Sequence, residues 1–187
     1  MISALSGLLG IVLVGLVGWD LFQTVVVPRP SPGRLRIARW VVRGSWRAVK
    51  ATGRRLPAGP RDALFGLYGP AVAIALLAIW LLVLTLGFGL VLFAIRDQVT
   101  PSLPDVGSAV YFAASSVLTL GYGDFVPGGP VARLLVAVAA AGGLGAVALV
   151  VTFLFSLYGS YQRREVAIVA LQATAGAPPS AVALLET

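Results

Sequence analysis

The sequence predicts an all-α membrane protein with three transmembrane helices, one short re-entrant helix and one amphipathic helix at the membrane surface. Hydrophobic residues make up 58% of the chain and charged residues only 11%, whereas soluble domains carry about 25% charged residues. Three apolar stretches are each long enough to cross a bilayer, which takes about 20 helical residues. Ten of the fourteen basic residues lie between Arg29 and Arg61, a distribution typical of a cytoplasmic loop.

The composition also disfavours several classes of function. The 187 residues include no cysteine and no histidine, which removes the usual nucleophile–base pairs and the commonest metal ligands. We therefore expect no enzyme activity and no cofactor. The net charge of +7 is concentrated in one loop of an apolar chain, so it indicates a membrane surface, not nucleic acid. Thirteen arginines against one lysine, with no asparagine, predict a GC-rich, bacterial source.

Residues 1–27 predict the first transmembrane helix. A cleaved signal peptide is the alternative, but no basic segment precedes the apolar run and no A-x-A-like site follows it. Asp20 lies inside this span, with Thr24 one turn later. A carboxylate in a span is a candidate functional group, for example as a partner of the basic loop. The other interpretation is that Asp20, about 10 Å from the helix end, reaches water or a loop arginine.

Residues 28–69 predict a basic cytoplasmic loop that contains an amphipathic helix at the lipid interface. Trp40 and Trp46 flank a basic stripe on one face of this helix. Six residues spaced three or four apart form the stripe and are expected to contact lipid, anionic lipid above all: Arg36, Arg39, Arg43, Arg47, Lys50 and Arg54. A voltage-sensor helix is disfavoured, because strict three-residue spacing would make the charges spiral and no three spans precede it.

Residues 70–165 predict two further spans around a short apolar segment. The outer helix is expected over 70–95 and the inner helix over 130–165. The segment at 106–118 is too short to cross the hydrocarbon, so it is either buried or re-entrant. Residues 166–187 form a short cytoplasmic tail, in which Gly176 and Pro178 are expected to end the helix. The chain stops without an obvious terminal element, which leaves open a missing cytoplasmic regulatory domain.

The basic residues also predict an orientation in the cell membrane. The loop and the Arg163–Arg164 pair place twelve basic residues on one side, and only Arg96 and Arg133 fall on the other. The positive-inside rule then places the loop and the C-terminus in the cytoplasm and the N-terminus outside. The short apolar segment is therefore entered and left from the outside.

The segment after the re-entrant helix carries the most specific motif. It reads Thr119-Leu-Gly-Tyr-Gly, with Gly121 and Gly123 separated by one residue. Glycine tolerates positive φ, so alternating glycines allow successive carbonyls to turn the same way. Irregular backbone at membrane depth is tolerated only inside protein or along a water-filled path. A row of carbonyls that face one way offers successive binding positions for a dehydrated cation.

Residues 119–124 resemble the selectivity filter of potassium channels, whose usual form is TVGYGD, and the order span, pore helix, filter, span resembles their two-span pore module. This resemblance covers residues 70–165 and implies passive, selective K⁺ conduction through a pore formed by four chains. It implies that K⁺ binds at carbonyls of the filter residues Thr119, Leu120, Gly121, Tyr122 and Gly123, and at the Thr119 hydroxyl. Asp124 is implied to form an acidic ring at the outer mouth.

The chain also departs from the family pattern behind the filter. Leu120 replaces the usual valine, and Ser115 stands where many members have a pore-helix glutamate. Tyr111 and Phe112 occupy the positions of two tryptophans, and the Tyr111 hydroxyl is expected to reach Asp124. These departures keep a non-selective cation channel open as an alternative, and a non-conducting, lipid-sensing scaffold is the third hypothesis. The filter supports are expected to be Tyr111, Phe112, Ser115 and Ser116. The gating stimulus is not predicted.

The inner helix contains a glycine that the resemblance marks as a gating hinge. Gly143 lies 20 residues after Gly123, which is the spacing of that hinge in the family. The alternative is that small residues here allow close helix packing. Three apolar residues near it are candidates for lining the cavity below the filter: Leu144, Val147 and Val151.

Overall fold

The computed structural model describes residues 2–26 and 37–175, which form two compact units divided between Val150 and Val151. The elements in chain order are α1 (Ile2–Leu21, continued by a π-helical turn at Phe22–Val26), α2 (Ile37–Gly53), α3 (Ala58–Ala94), β1 (Val99–Thr100), α4 (Val106–Val117), β2 (Val126–Pro127) and α5 (Pro130–Ala175). The second unit is the part of α5 from Val151 onwards.

The predicted all-α membrane fold is confirmed. Three described helical segments are long and apolar enough to cross a membrane: Ser3–Thr24, Ala58–Ala94 and Pro130–Ser156. α4 has 12 residues, too few to span the hydrocarbon. The chain is therefore a multi-pass membrane protein with a short fourth apolar helix between its last two spans.

α3 begins at Ala58, twelve residues before the predicted start of the outer helix at residue 70. The expectation followed the apolar run, which begins at Ala71, and proline inside a helix removes one hydrogen bond. The structure instead keeps Pro70 inside a continuous helix and places Pro57 at its N-cap. Pro60 falls in the first turn, where its missing N–H has no intrahelical acceptor in any case.

α1 packs along α3 through glycines. A methyl group on Gly10 would collide with the Gly87 carbonyl oxygen, and one on Gly87 would lie 2.8 Å from the Val14 side chain. Gly7 faces the Ala94 methyl group in the same way, at 3.1 Å. Lipid gives no hydrophobic drive for helix association, so such close backbone approach is how membrane helices gain packing energy.

The predicted amphipathic helix corresponds to α2, and it packs against the first turns of α3. Trp46 lies 5.0 Å from Tyr68 and 5.7 Å from Phe65, between ring centroids. The basic side chains Arg43, Arg47, Lys50 and Arg54 are exposed, and Arg39 is half-buried. Arg36 lies outside the described residues, as does the helix break expected at Gly176.

The expectation that Asp20 simply reaches water is wrong, because its side chain is only 1% exposed. Its Oδ2 atom accepts hydrogen bonds from the Ala38 N–H and from the Trp80 indole N–H, both at 2.9 Å. Asp20 therefore connects α1 to α2 and α3.

A two-stranded ladder holds the segments on either side of α4 together. Val99 pairs with Pro127 and Thr100 with Val126, antiparallel. The Gln98 carbonyl accepts from the N–H groups of Gly128 and Gly129, at 2.8 and 3.0 Å. These bonds position the chain that leaves the filter beside the end of α3.

We expect Gly10→Ala to lower the free energy of unfolding by about 1–3 kcal/mol, because the added methyl group forces α1 away from α3. Denaturant or thermal unfolding in detergent measures this change. Gly15→Ala is the matched control in the same helix, since a methyl group there meets no atom within 4 Å. Equal stabilities of the two variants would contradict the packing described above.

Candidate functional site

The site begins where α4 ends and the chain turns back along its own helix. Asp105 caps the start of α4, where its Oδ1 accepts from the Ser108 N–H at 2.8 Å. A charged cap of this type stabilises a helix N-terminus. After Val117 the backbone leaves the helix, and positive φ occurs at every second residue: Thr119 at 55°, Gly121 at 64° and Gly123 at 81°. The two glycines adopt this conformation without strain, whereas Thr119 does not.

The backbone N–H groups of this segment all turn back to the end of α4. The Thr119 N–H donates to the Ser116 carbonyl at 3.0 Å. The N–H groups of Leu120 and Gly121 donate to the Ser115 carbonyl, at 2.8 and 3.3 Å. The Tyr122 N–H donates to the Ser115 hydroxyl oxygen at 3.3 Å. Four successive donors therefore converge on two serines.

These hydrogen bonds fix the direction of the carbonyl groups. In a planar trans peptide the C=O points opposite to the N–H of the following residue. Because the N–H groups of Leu120, Gly121 and Tyr122 point towards α4, the carbonyls of Thr119, Leu120 and Gly121 point away from it. The Thr119 hydroxyl donates to the Leu118 carbonyl at 2.7 Å, and its lone pairs are not used in that bond.

The two serines support the segment in different ways. Ser115, which stands where many family members have glutamate, uses both its carbonyl and its hydroxyl. Ser116 accepts from the segment through its carbonyl, and its hydroxyl donates to the Phe112 carbonyl within α4 at 2.9 Å. The resemblance predicted that a carboxylate is missing at position 115, but no sequence pattern indicated that the serine hydroxyl accepts from the Tyr122 N–H.

An aromatic cluster lies beside the filter segment. The rings of Tyr111 and Tyr122 stack with an interplanar angle of 3° and centroids 6.0 Å apart. Phe125 lies 6.0 Å from Phe112 and meets Tyr111 edge-on at 6.4 Å. A hydrogen bond with the Asp124 carboxylate raises the pKa of the Tyr111 hydroxyl, so Tyr111 stays a protonated donor at neutral pH. The expected support of Asp124 by the Tyr111 hydroxyl stays a prediction.

The inner helix passes the end of α4 at Gly143. A methyl group on this glycine would collide with the Val117 carbonyl oxygen. Gly143 therefore allows backbone contact between α5 and α4, and α5 continues through it as a helix. Nearer the start of α5, Val136 and Ala140 line a cavity of about 360 Å³ together with Ser115 and Thr119.

The remaining predicted residues occupy two separate places. Leu144, Val147 and Val151 are exposed on α5, and their role in lining a cavity stays a prediction. The predicted lipid-contacting residues that are described lie on or next to α2, on elements other than those that build the filter segment. The structure thus brings residues 119–124 together with Tyr111, Phe112, Ser115 and Ser116, and it leaves the basic stripe as a second surface.

Together these features define a class of protein. Two membrane-spanning helices flank a short helix that stops inside the fold, followed by a backbone segment whose carbonyls face one way. Residues 71–159 match the family model described as "Ion channel". This match supports the assignment of residues 71–159 to the potassium channel pore family, which is not a family of enzymes. No curated protein and no solved structure matches the chain.

We expect Gly143→Ala to lower the thermal stability of the detergent-solubilised protein, because the added methyl group separates α5 from the end of α4. Gly142→Ala and Gly145→Ala are matched controls, since methyl groups there meet nothing within 4 Å. If Gly143 acted only as a hinge, the thermal midpoint of Gly143→Ala would equal that of the controls and only channel opening would change.

Proposed function

We propose that the protein is a K⁺-selective channel in which the carbonyls of residues 119–122 and the Thr119 hydroxyl replace the hydration shell of the ion. One observation carries the proposal: positive φ alternates along residues 119–123 while four successive N–H groups donate to Ser115 and Ser116. A cation needs oxygens that converge on one line, and this pattern directs the carbonyls to the side away from α4. Asp124 adds negative charge at the outer mouth.

The functional unit is proposed to be a homotetramer. All residues from Leu118 to Asp124 are exposed in the single chain, and one strand of carbonyls cannot surround an ion. Fourfold symmetry closes such a strand into a ring with equivalent interfaces. The C-terminal end of α4, near Leu118, would then direct the negative end of its dipole towards the ion path.

The orientation is proposed from the distribution of basic residues. The loop between α1 and α3 and the C-terminus are placed in the cytoplasm, and the filter mouth and the N-terminus outside. K⁺ then moves passively between the two sides along its electrochemical gradient.

A non-selective cation channel is the second candidate. Phe112 has no polar atom to hold the filter, in contrast to the tryptophans of many family members. The Tyr111–Tyr122 stack and the Ser115 hydroxyl favour the selective channel, because both hold the backbone of the filter in one conformation.

A reversal potential tests the two candidates. We expect purified protein in a planar bilayer, with K⁺ on one side and Na⁺ on the other, to give a strongly K⁺-selective potential that Ba²⁺ blocks. Gly121→Ala should abolish this selectivity, because φ at this position is 64° and alanine is strained there. A potential near zero with measurable current would favour the non-selective channel. A monomer in mild detergent would contradict the tetramer.

We expect Ser115→Ala to lower the K⁺ over Na⁺ permeability ratio about tenfold, because the Tyr122 N–H loses its acceptor and an unpaired donor enclosed by the proposed tetramer costs about 1–3 kcal/mol. Reversal potentials under bi-ionic conditions measure the ratio. Ser116→Ala is the matched control, since that hydroxyl bonds only within α4 among the described residues. Equal ratios for both variants would show that the Ser115 hydroxyl does not support the filter.

A further inference from the structure

The exposed side of α2 is uniformly basic. Arg43, Arg47 and Lys50 are exposed there, and the sequence from Ile37 to Pro57 contains no acidic residue. Trp40, between two of the basic positions, is 75% exposed. Exposed arginine and lysine with a neighbouring tryptophan are the side chains that bind the headgroup region of an anionic membrane. We call the surface formed by Arg43, Arg47, Lys50 and Trp40 the basic face.

The side of α2 that carries Trp46, next to the basic face, packs against the outer helix α3. Trp46 packs on Phe65 and Tyr68, and the Tyr68 hydroxyl donates to the Val42 carbonyl at 2.9 Å. Gly53 approaches the Phe65 ring so closely that a methyl group would lie 2.9 Å from it. α2 and the first turns of α3 therefore form a helical hairpin, so a force on the basic face acts on α3.

The amino-terminal end of α2 is held by a buried carboxylate. Ala38 is the second residue of α2, and its N–H lies in the first turn, where the helix itself offers no acceptor. The Asp20 carboxylate accepts this N–H and the indole N–H of Trp80 with one oxygen, and both Asp20 and Trp80 are 1% exposed. A negative charge is favourable at a helix N-terminus. One oxygen thus joins α1, α2 and the middle of the outer helix.

We propose that the basic face binds anionic phospholipid headgroups, and that Asp20 transmits this binding to the pore by holding the start of α2 against Trp80. This proposal adds regulation to the channel function proposed above. Asp20 is a positioning residue here, since it acts through α2 and α3 and does not touch the ion path.

Lipid binding is tested without any current. Protein is reconstituted in vesicles of phosphatidylcholine with brominated phosphatidylglycerol, and quenching of tryptophan fluorescence is compared with that by brominated phosphatidylcholine. Trp40→Phe identifies the part of the signal that comes from the basic face. The variant R43Q/R47Q/K50Q is expected to lose about 100-fold of the preference for the anionic lipid, since each basic residue near the surface contributes about fivefold. R96Q, at the far end of α3, is the control and should keep the preference.

Equal quenching by both brominated lipids in the unaltered protein would contradict the proposal that the basic face binds anionic lipid. Preserved preference in R43Q/R47Q/K50Q would overturn it as well. Because the quenching measurement needs no ion conduction, it tests lipid binding independently of the K⁺ channel proposal.

Coupling is tested by K⁺ flux from vesicles with increasing fractions of phosphatidylglycerol. We expect the flux of the unaltered protein to change with the anionic fraction. D20A and W80F should weaken this dependence, because the hairpin contacts alone then connect α2 to α3. Both variants should keep the preference for anionic lipid that the quenching measures, because the basic face stays intact. D20N retains an acceptor oxygen and should keep most of the dependence. W80F leaves the carboxylate in place, so it decides the outcome if D20A does not assemble. A lipid dependence of flux that is unchanged in W80F would overturn the role of Asp20.

Discussion

The structure of the pore domain depends on one constraint: backbone N–H groups that leave a helix at membrane depth must find acceptors inside the protein. Four such groups follow α4, and all of them bond to Ser115 or Ser116. Because these N–H groups point towards α4, the carbonyl groups of the same peptide units point away from α4. The ladder at Gln98, Val99 and Thr100 then holds the chain where it leaves the filter. The common direction of these carbonyls is thus a consequence of satisfying the N–H groups.

Glycine determines how the helices reach this arrangement. Gly10 and Gly87 bring α1 and α3 into backbone contact, Gly89 brings α3 against Val110 of α4, and Gly143 brings α5 against the end of α4. Close contact adds dispersion energy where the lipid offers no hydrophobic drive. The helices around the filter are therefore connected in series, from α1 through α3 and α4 to α5. A displacement of one helix changes the position of the next.

Asp20 extends this series to the membrane surface. A buried carboxylate is costly unless hydrogen bonds stabilise it, and its two donors come from α2 and α3. The same residue therefore ties the basic helix and the outer helix of the pore to α1. A segment that matches the ion channel family model is combined here with a basic surface on α2. Two sets of contacts connect them: the Asp20 carboxylate oxygen, and the packing of Trp46 and Gly53 against the first turns of α3.

The three spans, the re-entrant helix and the alternating conformation at Gly121 and Gly123 follow from the sequence, because hydropathy, segment length and glycine freedom are local properties. Tertiary structure alone decided the rest. The acceptor role of the Ser115 hydroxyl depends on the chain folding back over seven residues, and the start of α3 at Ala58 depends on its packing with α2. Asp20 meets Trp80 across 60 residues. No local pattern specifies such a contact, because it exists only once α1 and α3 are packed side by side.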